Sequence, residues 1–345
     1  MAKLDLQRSG TSVSRELQVE FHCSRPKLRF GASPMQGENK MSENKKRYIG
    51  ATAIILAAIM WGFDGVVLTP RLFSLNIGFV VFMLHFVPFV LMNTFLFKEY
   101  KKLKTFTKSD YFTLLAIAFF GGALGTLAIV KALFLVHFQH LSVVVLLQKL
   151  QPIFAIILAA IFLKEKIEKK FVFWAIIAVA ASYTLTFGFH KPHPIKDADL
   201  IQASLWAVLA AFSFGSATVF GKKALNKFPY YTTNFFRFGF TSIIMLIYVL
   251  LTGTIGEFQN LTITNMFYFL VIAVTTGSGA IFLFYFGLNK VKAMVSTICE
   301  LFFPISAILF DYLINDHKLN LVQWISAIIM ILAIVEISYK RKKVR

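Results

Sequence analysis

The sequence has little charge, and acidic residues are especially scarce. Charged residues make up 15% of the 345-residue chain, whereas a soluble domain carries about a quarter. Aspartate and glutamate number 17 against 36 lysines and arginines, so the formal net charge is +19. Hydrophobic residues supply 57% of the chain and the mean hydropathy is +0.68. This balance excludes an ordinary soluble domain and predicts an integral membrane protein.

Cysteine is also nearly absent. Cys23 lies in a polar segment and Cys299 in an apolar one, so the pair defines neither a disulfide framework nor a metal cluster. We interpret Cys299 as a small residue that packs between helices.

Metal ligands are equally sparse. Two His-x-x-His pairs occur, His137/His140 and His190/His193, and their spacing is one that a metal accepts. They lie in predicted connections without carboxylate or cysteine neighbours. We therefore expect no metal site, and no sequence motif indicates a cofactor.

The positive charge has the distribution of a membrane protein. Lysines cluster in short runs at the ends of apolar segments, which is the pattern of charged loops beside a bilayer. This arrangement argues against nucleic acid as a partner and indicates the lipid bilayer instead.

Apolar stretches of roughly twenty residues recur along the chain, the length that crosses about 30 Å of hydrocarbon as a helix. We predict ten transmembrane helices, at 49–69, 76–97, 111–134, 141–163, 171–189, 200–221, 231–252, 265–287, 294–313 and 320–338. The polar residues 1–48 are predicted to form a disordered tail, of which 1–40 precede an apparent natural start at Met41 and are expected to have no function. Residues 191–199 are expected to form a linker and 339–345 a basic tail.

The loop charges predict an orientation. If alternate loops share a side, about 22 lysines and arginines fall on the side of the two termini, and about 4 fall opposite: Arg71, Lys191, Lys196 and Lys318. By the positive-inside rule, this bias places both termini in the cytoplasm. It also favours an even number of helices in a cytoplasmic (inner) membrane protein.

An internal repeat divides the helices into two groups. Residues 148–155 resemble 300–307 at an offset of 152 positions, which aligns Pro152 with Pro304. The same offset aligns His85 with Arg237, and 57–62 resemble 210–215 at an offset one larger. Helices 1–5 and 6–10 are therefore two copies of one unit. Because five is odd, the second copy is inverted in the membrane, an arrangement that suits alternating access.

The chain resembles the EamA-type ten-helix transporters of the drug/metabolite transporter superfamily over nearly all of 49–338. The most specific stretch is 147–152 followed by Leu163-Lys164-Glu165, which is similar to the family's mid-helix proline and terminal Leu-x-Glu. The second copy departs from this pattern, with Asn315-Asp316-His317 at the corresponding place. The resemblance implies two repeats, 49–190 and 200–338, and a metabolite carrier whose cavity is lined mainly by helices 1, 3, 4, 6, 8 and 9.

Ionisable residues inside predicted spans are the first candidates for a site, because each costs roughly 2.5–3.5 kcal/mol to insert and usually faces a cavity or a partner. Glu300 ranks first. Pro304 is expected to free the Glu300 carbonyl and kink the helix there. Ser296, Glu300 and Phe303 share one helix face. We expect Glu300 to bind a substrate amine or carry a proton, or else to pair with Arg237.

The repeat partner of Glu300 is Gln148, with Gln151 on the same face. Lys149 is expected to attract an anionic substrate group or to pair with Asp64, a polar residue of helix 1. Lys131 either contacts substrate or extends to the interface. Arg237 and His85 occupy matching sites; the family commonly has arginine there, and their expected role is structural, with Pro152 and Pro304 as hinges.

Aromatic residues supply the remaining candidates. Trp61, Phe63, Phe214, Tyr285 and Phe303 can bracket an organic substrate or simply fill space between helices.

The sequence thus favours a secondary carrier of small organic metabolites. No nucleotide-binding motif is present, so we expect a proton gradient or exchange to drive transport. The mixed charges at mid-span favour a zwitterion such as an amino acid. An intramembrane enzyme and a channel or scaffold remain the alternatives, and a monomer and a homodimer are both compatible with the sequence.

Overall fold

The computed structural model describes residues 43–136, 144, 147–187, 198–315 and 320–339. Within these ranges the protein is helical and contains no strand, which confirms the predicted all-α class. We number ten helical segments in chain order. They are α1 (Glu43–Phe63), α2 (Ile77–Leu96), α3 (Lys108–Leu135), α4 (Gln151–Phe162), α5 (Lys169–Phe187), α6 (Ala198–Leu225), α7 (Tyr230–Leu251), α8 (Ile263–Lys290), α9 (Ala293–Ile314) and α10 (Leu321–Tyr339).

Among the described residues, 8 helices are long and apolar enough to cross a membrane. The eight do not include α4, a shorter apolar helix of 12 residues, or α5. The count of ten membrane helices is therefore not fully reached, although each predicted span contains a helix. The predicted disordered tail is wrong at its end, because α1 begins at Glu43 and residues 43–48 are helical. Lysines there can extend toward the interface without interrupting the helix.

Helices of each repeat pack against helices of the other repeat. In the first repeat α1 packs against α8 and α9, and in the second α6 packs against α3 and α4. The α2 helix packs on its counterpart α7, and α5 on α10. Each contact thus has a partner contact, as a two-fold relation between halves requires. This arrangement agrees with the predicted inverted repeat and places α1, α3, α4, α6, α8 and α9 around the centre.

Among the described residues, a wide π-helical turn occurs at three places. One follows α1 at Asp64–Leu68, a second interrupts α3 at Ile117–Leu124, and the third interrupts α8 at Ala273–Gly277. The segments in α3 and α8 occupy equivalent places in the two repeats. Such turns leave backbone groups without regular helical partners and occur frequently at functional sites.

The aligned prolines stand at helix breaks. Pro152 lies in the first turn of α4, directly after a turn at Lys149 and Leu150, and α9 is interrupted at Glu300 and Leu301 before Pro304. The expectation of a free Glu300 carbonyl is wrong, because that oxygen accepts the backbone N–H of Phe303 at 3.0 Å. A tight turn replaces the bond that proline cannot make.

Glycines have different roles in α3 and in α8. A Cβ at Gly122 would lie 2.0 Å from Oγ1 of Thr241, so this glycine lets α3 approach α7. A Cβ at Gly277 or Gly279 would instead meet a carbonyl of its own helix, Ile272 or Val274. These two glycines relieve crowding in the π turn rather than at a helix contact.

Candidate substrate-binding site

A cavity of about 910 Å³ lies between the two repeats. Its lining on α1 and α3 comes from the second half of each helix, its lining on α9 reaches from Glu300 to Asp311, and α10 contributes Gln323 from its first turn. We define the terminal side as the face where α1 begins and α10 ends. Because α1 and α3 run away from that face, and because Arg71, Asp311 and Gln323 also line the cavity, the cavity extends to the opposite side.

Most of the predicted site residues line this cavity. They are Trp61, Asp64, His85, Gln148, Lys149, Gln151, Phe214, Arg237, Glu300, Phe303 and Pro304. Ser296 and Tyr285 are fully buried behind the lining. Pro152 lines a separate apolar groove beside α4 and α5. Lys131 places its ammonium 4.5 Å from the ring centroid of Trp206 rather than in the cavity.

Glu300 joins the two repeats. Nε2 of Gln151 donates to Oε2 of Glu300 at 2.7 Å, and Oγ of Ser296 donates to Oε1 at 3.3 Å. The break in α9 places the Glu300 carboxylate at the cavity rather than against the next helical turn. Gln151 belongs to α4 and Glu300 to α9, so this hydrogen bond ties the equivalent broken helices together.

Asp64 makes a second link between the repeats. Its carboxylate accepts one hydrogen bond from Thr69 and another from Thr276, both at 3.0 Å. Thr276 belongs to the π segment of α8, and Asp64 begins the π segment that follows α1. Neither threonine was predicted from the sequence; the position of Thr276 next to Gly277 in an apolar span was the available signal.

The ion pairs predicted inside the membrane are absent from the described part of the chain. Lys149 does not pair with Asp64; its ammonium lies 3.9 Å from the ring centroid of Phe303. Arg237 does not pair with Glu300. Both carboxylates instead accept hydrogen bonds from neutral hydroxyl and amide donors, and neither has a cation within salt-bridge distance among the described residues.

Arg237 binds neighbouring helices through neutral groups. One terminal nitrogen donates to the Gly121 carbonyl at 2.9 Å, in the π segment of α3, and the other donates to the Tyr285 hydroxyl of α8 at 3.1 Å. The arginine is 7% exposed at the cavity. His85, its repeat counterpart, was also expected to have a structural role. Its Nδ1 bonds the carbonyl of Val81 in its own helix at 2.9 Å, and so does not link two helices through that bond.

A carboxylate cap joins α4 and α9 on the terminal side. Oε1 and Oε2 of Glu165 accept the backbone N–H groups of Ala293 at 2.9 Å and Met294 at 3.2 Å. These donors begin α9 and have no partner within the helix. Lys164 before it adopts a left-handed conformation, with φ of 53°. This left-handed residue follows the end of α4 and directs Glu165 toward α9 of the other repeat. The Leu-x-Glu motif alone did not predict this role.

Several predictions fall outside the described residues. They concern the two histidine pairs at 137/140 and 190/193, the linker 191–197, the basic tail 340–345, residues 1–42 and positions 316–317 of the altered motif.

Two inverted helical repeats around a cavity with broken central helices define the class of membrane transporters. Within that class, the chain belongs to the EamA-like transporter family, which matches it over residues 48–187 and again over 201–339.

The chain is also similar to a named protein and to a solved structure. It is 54% identical over 290 residues to the riboflavin transporter ImpX of Fusobacterium nucleatum subsp. nucleatum, across 84% of this chain and 97% of that protein. A crystal structure with 13% identity superposes with a TM-score of 0.60, across 83% of this chain and 95% of that one. The structural likeness shows the shared fold alone.

Proposed function

We propose that this protein transports riboflavin, or a closely similar flavin, across a cytoplasmic membrane by alternating access. The observation that carries the proposal is the 54% identity to a riboflavin transporter over nearly all of that protein's length. A carrier fits these residues better than the alternatives of an intramembrane enzyme or a channel. The cavity is closed toward the terminal side, and its carboxylates bind helices rather than forming a nucleophile–base pair.

The cavity has the chemistry that a flavin requires. Its volume of about 910 Å³ is at the upper end of small-molecule sites, which measure about 300–1,000 Å³. Trp61, Phe214 and Phe303 supply flat apolar surfaces for an aromatic ring system. Gln148 and Gln151 supply amides for its carbonyl and N–H groups. An amino acid, which the mixed charges favoured, would leave much of this aromatic surface unused.

The alternating-access cycle follows from the side to which the cavity extends and from the Glu165 cap on the other side. The described state is open opposite the termini and closed at the terminal side, where Glu165 caps α9. If the termini are cytoplasmic, as the loop charges indicate, this state faces outward. Moving the repeats relative to each other would release that cap and expose the same cavity to the other side.

Counterflow in proteoliposomes tests the transport function. Vesicles preloaded with unlabelled riboflavin should accumulate external labelled riboflavin, with saturation, and excess unlabelled riboflavin should abolish the signal. Protein-free vesicles and an excess of mixed amino acids serve as controls. Accumulation no greater than in protein-free vesicles would reject the flavin proposal, and competition by amino acids would restore the zwitterion hypothesis.

Glu300 is the proposed proton-coupling group. Adding a proton to Oε2 would replace the acceptor that Gln151 uses, and so would loosen the link between α4 and α9. Wild-type flavin accumulation should change by up to about tenfold per imposed pH unit for one coupled proton. Glu300→Gln should transport without this response, because glutamine keeps an acceptor for Gln151 but does not titrate.

The exposed Glu168→Gln is the matched control and should behave as wild type. A Glu300→Gln protein that still responds to the pH gradient would exclude Glu300 as the coupling group. A wild type that ignores the gradient would exclude proton drive and leave exchange.

A further inference from the structure

We infer that Gln151, oriented by Glu300, recognises the dione edge of the flavin ring and makes the carrier selective for flavins with a free N3–H. The inference rests on the proposed flavin transport and goes beyond it by naming the part of the substrate that is recognised. The geometry that carries it is the hydrogen bond from Nε2 of Gln151 to Oε2 of Glu300 at 2.7 Å.

This hydrogen bond fixes the Gln151 side chain. An amide has two N–H donors and one carbonyl acceptor. Glu300 takes one donor, so the second N–H and the carbonyl remain without a hydrogen bond in the described part of the chain. Gln151 lines the cavity and is partly exposed there. We assign to Glu300 the N–H that lies trans to the side-chain carbonyl, which leaves the cis N–H and the carbonyl side by side for whatever occupies the cavity.

The dione edge of a flavin is complementary to that arrangement. It carries an N3–H donor between two carbonyl acceptors. A carboxamide can accept from N3–H while donating to one of the adjacent carbonyls, which gives a pair of parallel hydrogen bonds. Neither bond involves a charged substrate group, which matches a neutral ring system.

The surroundings hold this amide in place. Glu300 receives a second hydrogen bond from Ser296, at 3.3 Å, and Ser296 is fully buried. Lys149 covers a face of Phe303 at 3.9 Å from the ring centroid, so its cation is engaged beside the site. Glu300 is thus a positioning residue for Gln151, while Gln151 itself contacts the substrate. A site built to hydrogen-bond a substrate group rejects analogues that lack it, because its own polar groups are then left unpaired.

The test compares riboflavin with N3-methylriboflavin, which keeps the ring and the ribityl chain but lacks the N3–H donor. Binding is measured by quenching of flavin fluorescence on full-length protein in nanodiscs. Wild type should bind riboflavin at least about tenfold more tightly than the methylated flavin. Gln151→Met, similar in size but without hydrogen-bonding groups, should weaken riboflavin binding by about that factor and abolish the preference.

Affinity of Gln151→Met for N3-methylriboflavin should be no lower than that of wild type, because the variant has no amide left unpaired, and this shows that the variant is folded. The exposed Gln202→Met in α6 is the matched control and should keep the wild-type preference. A Gln151→Met protein that still prefers riboflavin overturns the inference and leaves flavin transport standing. A wild type that binds neither flavin overturns the proposed function and the inference together.

Discussion

Arg237→Met protein is expected to be strongly destabilised and to lose most of its transport. The substitution keeps much of the side-chain length but removes the hydrogen bonds to the Gly121 carbonyl and the Tyr285 hydroxyl. Both acceptors lie inside the bundle, and a buried polar group without a partner costs about 1–3 kcal/mol. The combined loss of about 2–6 kcal/mol should lower the melting temperature by roughly 5–10 °C.

Graded variants separate the bonds from the bulk of the side chain. Tyr285→Phe removes a single bond and should cause a smaller loss of stability than Arg237→Met. Arg237→Lys should fall close to methionine, because one ammonium does not reproduce the planar fork that reaches α3 and α8 together. The control is Lys223→Met, which removes an exposed cation from α6 and should melt as wild type. Equal melting temperatures for Arg237→Met and wild type would refute the bridging role.

The repeat could be predicted from the sequence because it depends on helix length and on aligned residues. Apolar runs located the helices, and the match of Pro152 to Pro304 related the halves. The π segments were not predictable, because Gly122 and Gly277 look alike in sequence. One of them admits a neighbouring helix and the other relieves strain inside its own.

Contacts between the repeats were harder to predict than the repeat itself. The alignment pairs Gln148 with Glu300, but the residue of the first repeat that bonds Glu300 is Gln151, three residues further along the chain at the start of α4. Aligned positions are symmetry mates, and symmetry mates need not meet unless they lie on the axis. Opposite charge did not predict the partner of Asp64 either, since its carboxylate accepts hydrogen bonds from Thr69 and Thr276 and does not pair with Lys149.

The asymmetry of the Leu-x-Glu motif does have a structural consequence at Glu165. Its carboxylate caps the first N–H groups of α9, whereas the offset of the repeat places His317 at the corresponding position. The terminal side therefore has a carboxylate cap, whereas the second copy has no carboxylate at the aligned position. The strained backbone at Lys164 is consistent with a conformation kept for function rather than for stability.

Removing the carboxylate cap should shift the carrier toward opening at the terminal side. Glu165→Ala leaves the two α9 donors without their cap, and loss of such a cap costs about 0.5–2 kcal/mol. Cys299 provides a native reporter, because it lies in the first part of α9, is fully buried and bonds Ser338 at 3.1 Å. In a Cys23→Ser background, alkylation of Cys299 by N-ethylmaleimide, followed by mass spectrometry, should be about 2–30-fold faster in Glu165→Ala than in wild type.

The alkylation rate of Glu165→Gln, which retains one acceptor, should lie between those of Glu165→Ala and wild type, and the exposed Glu168→Ala should match wild type. If alkylation of Cys299 is as slow in Glu165→Ala as in wild type, the cap does not hold the terminal side closed. A faster reaction confined to the Glu165 variants would identify this hydrogen-bonded cap as a contact that must break before the cavity changes sides.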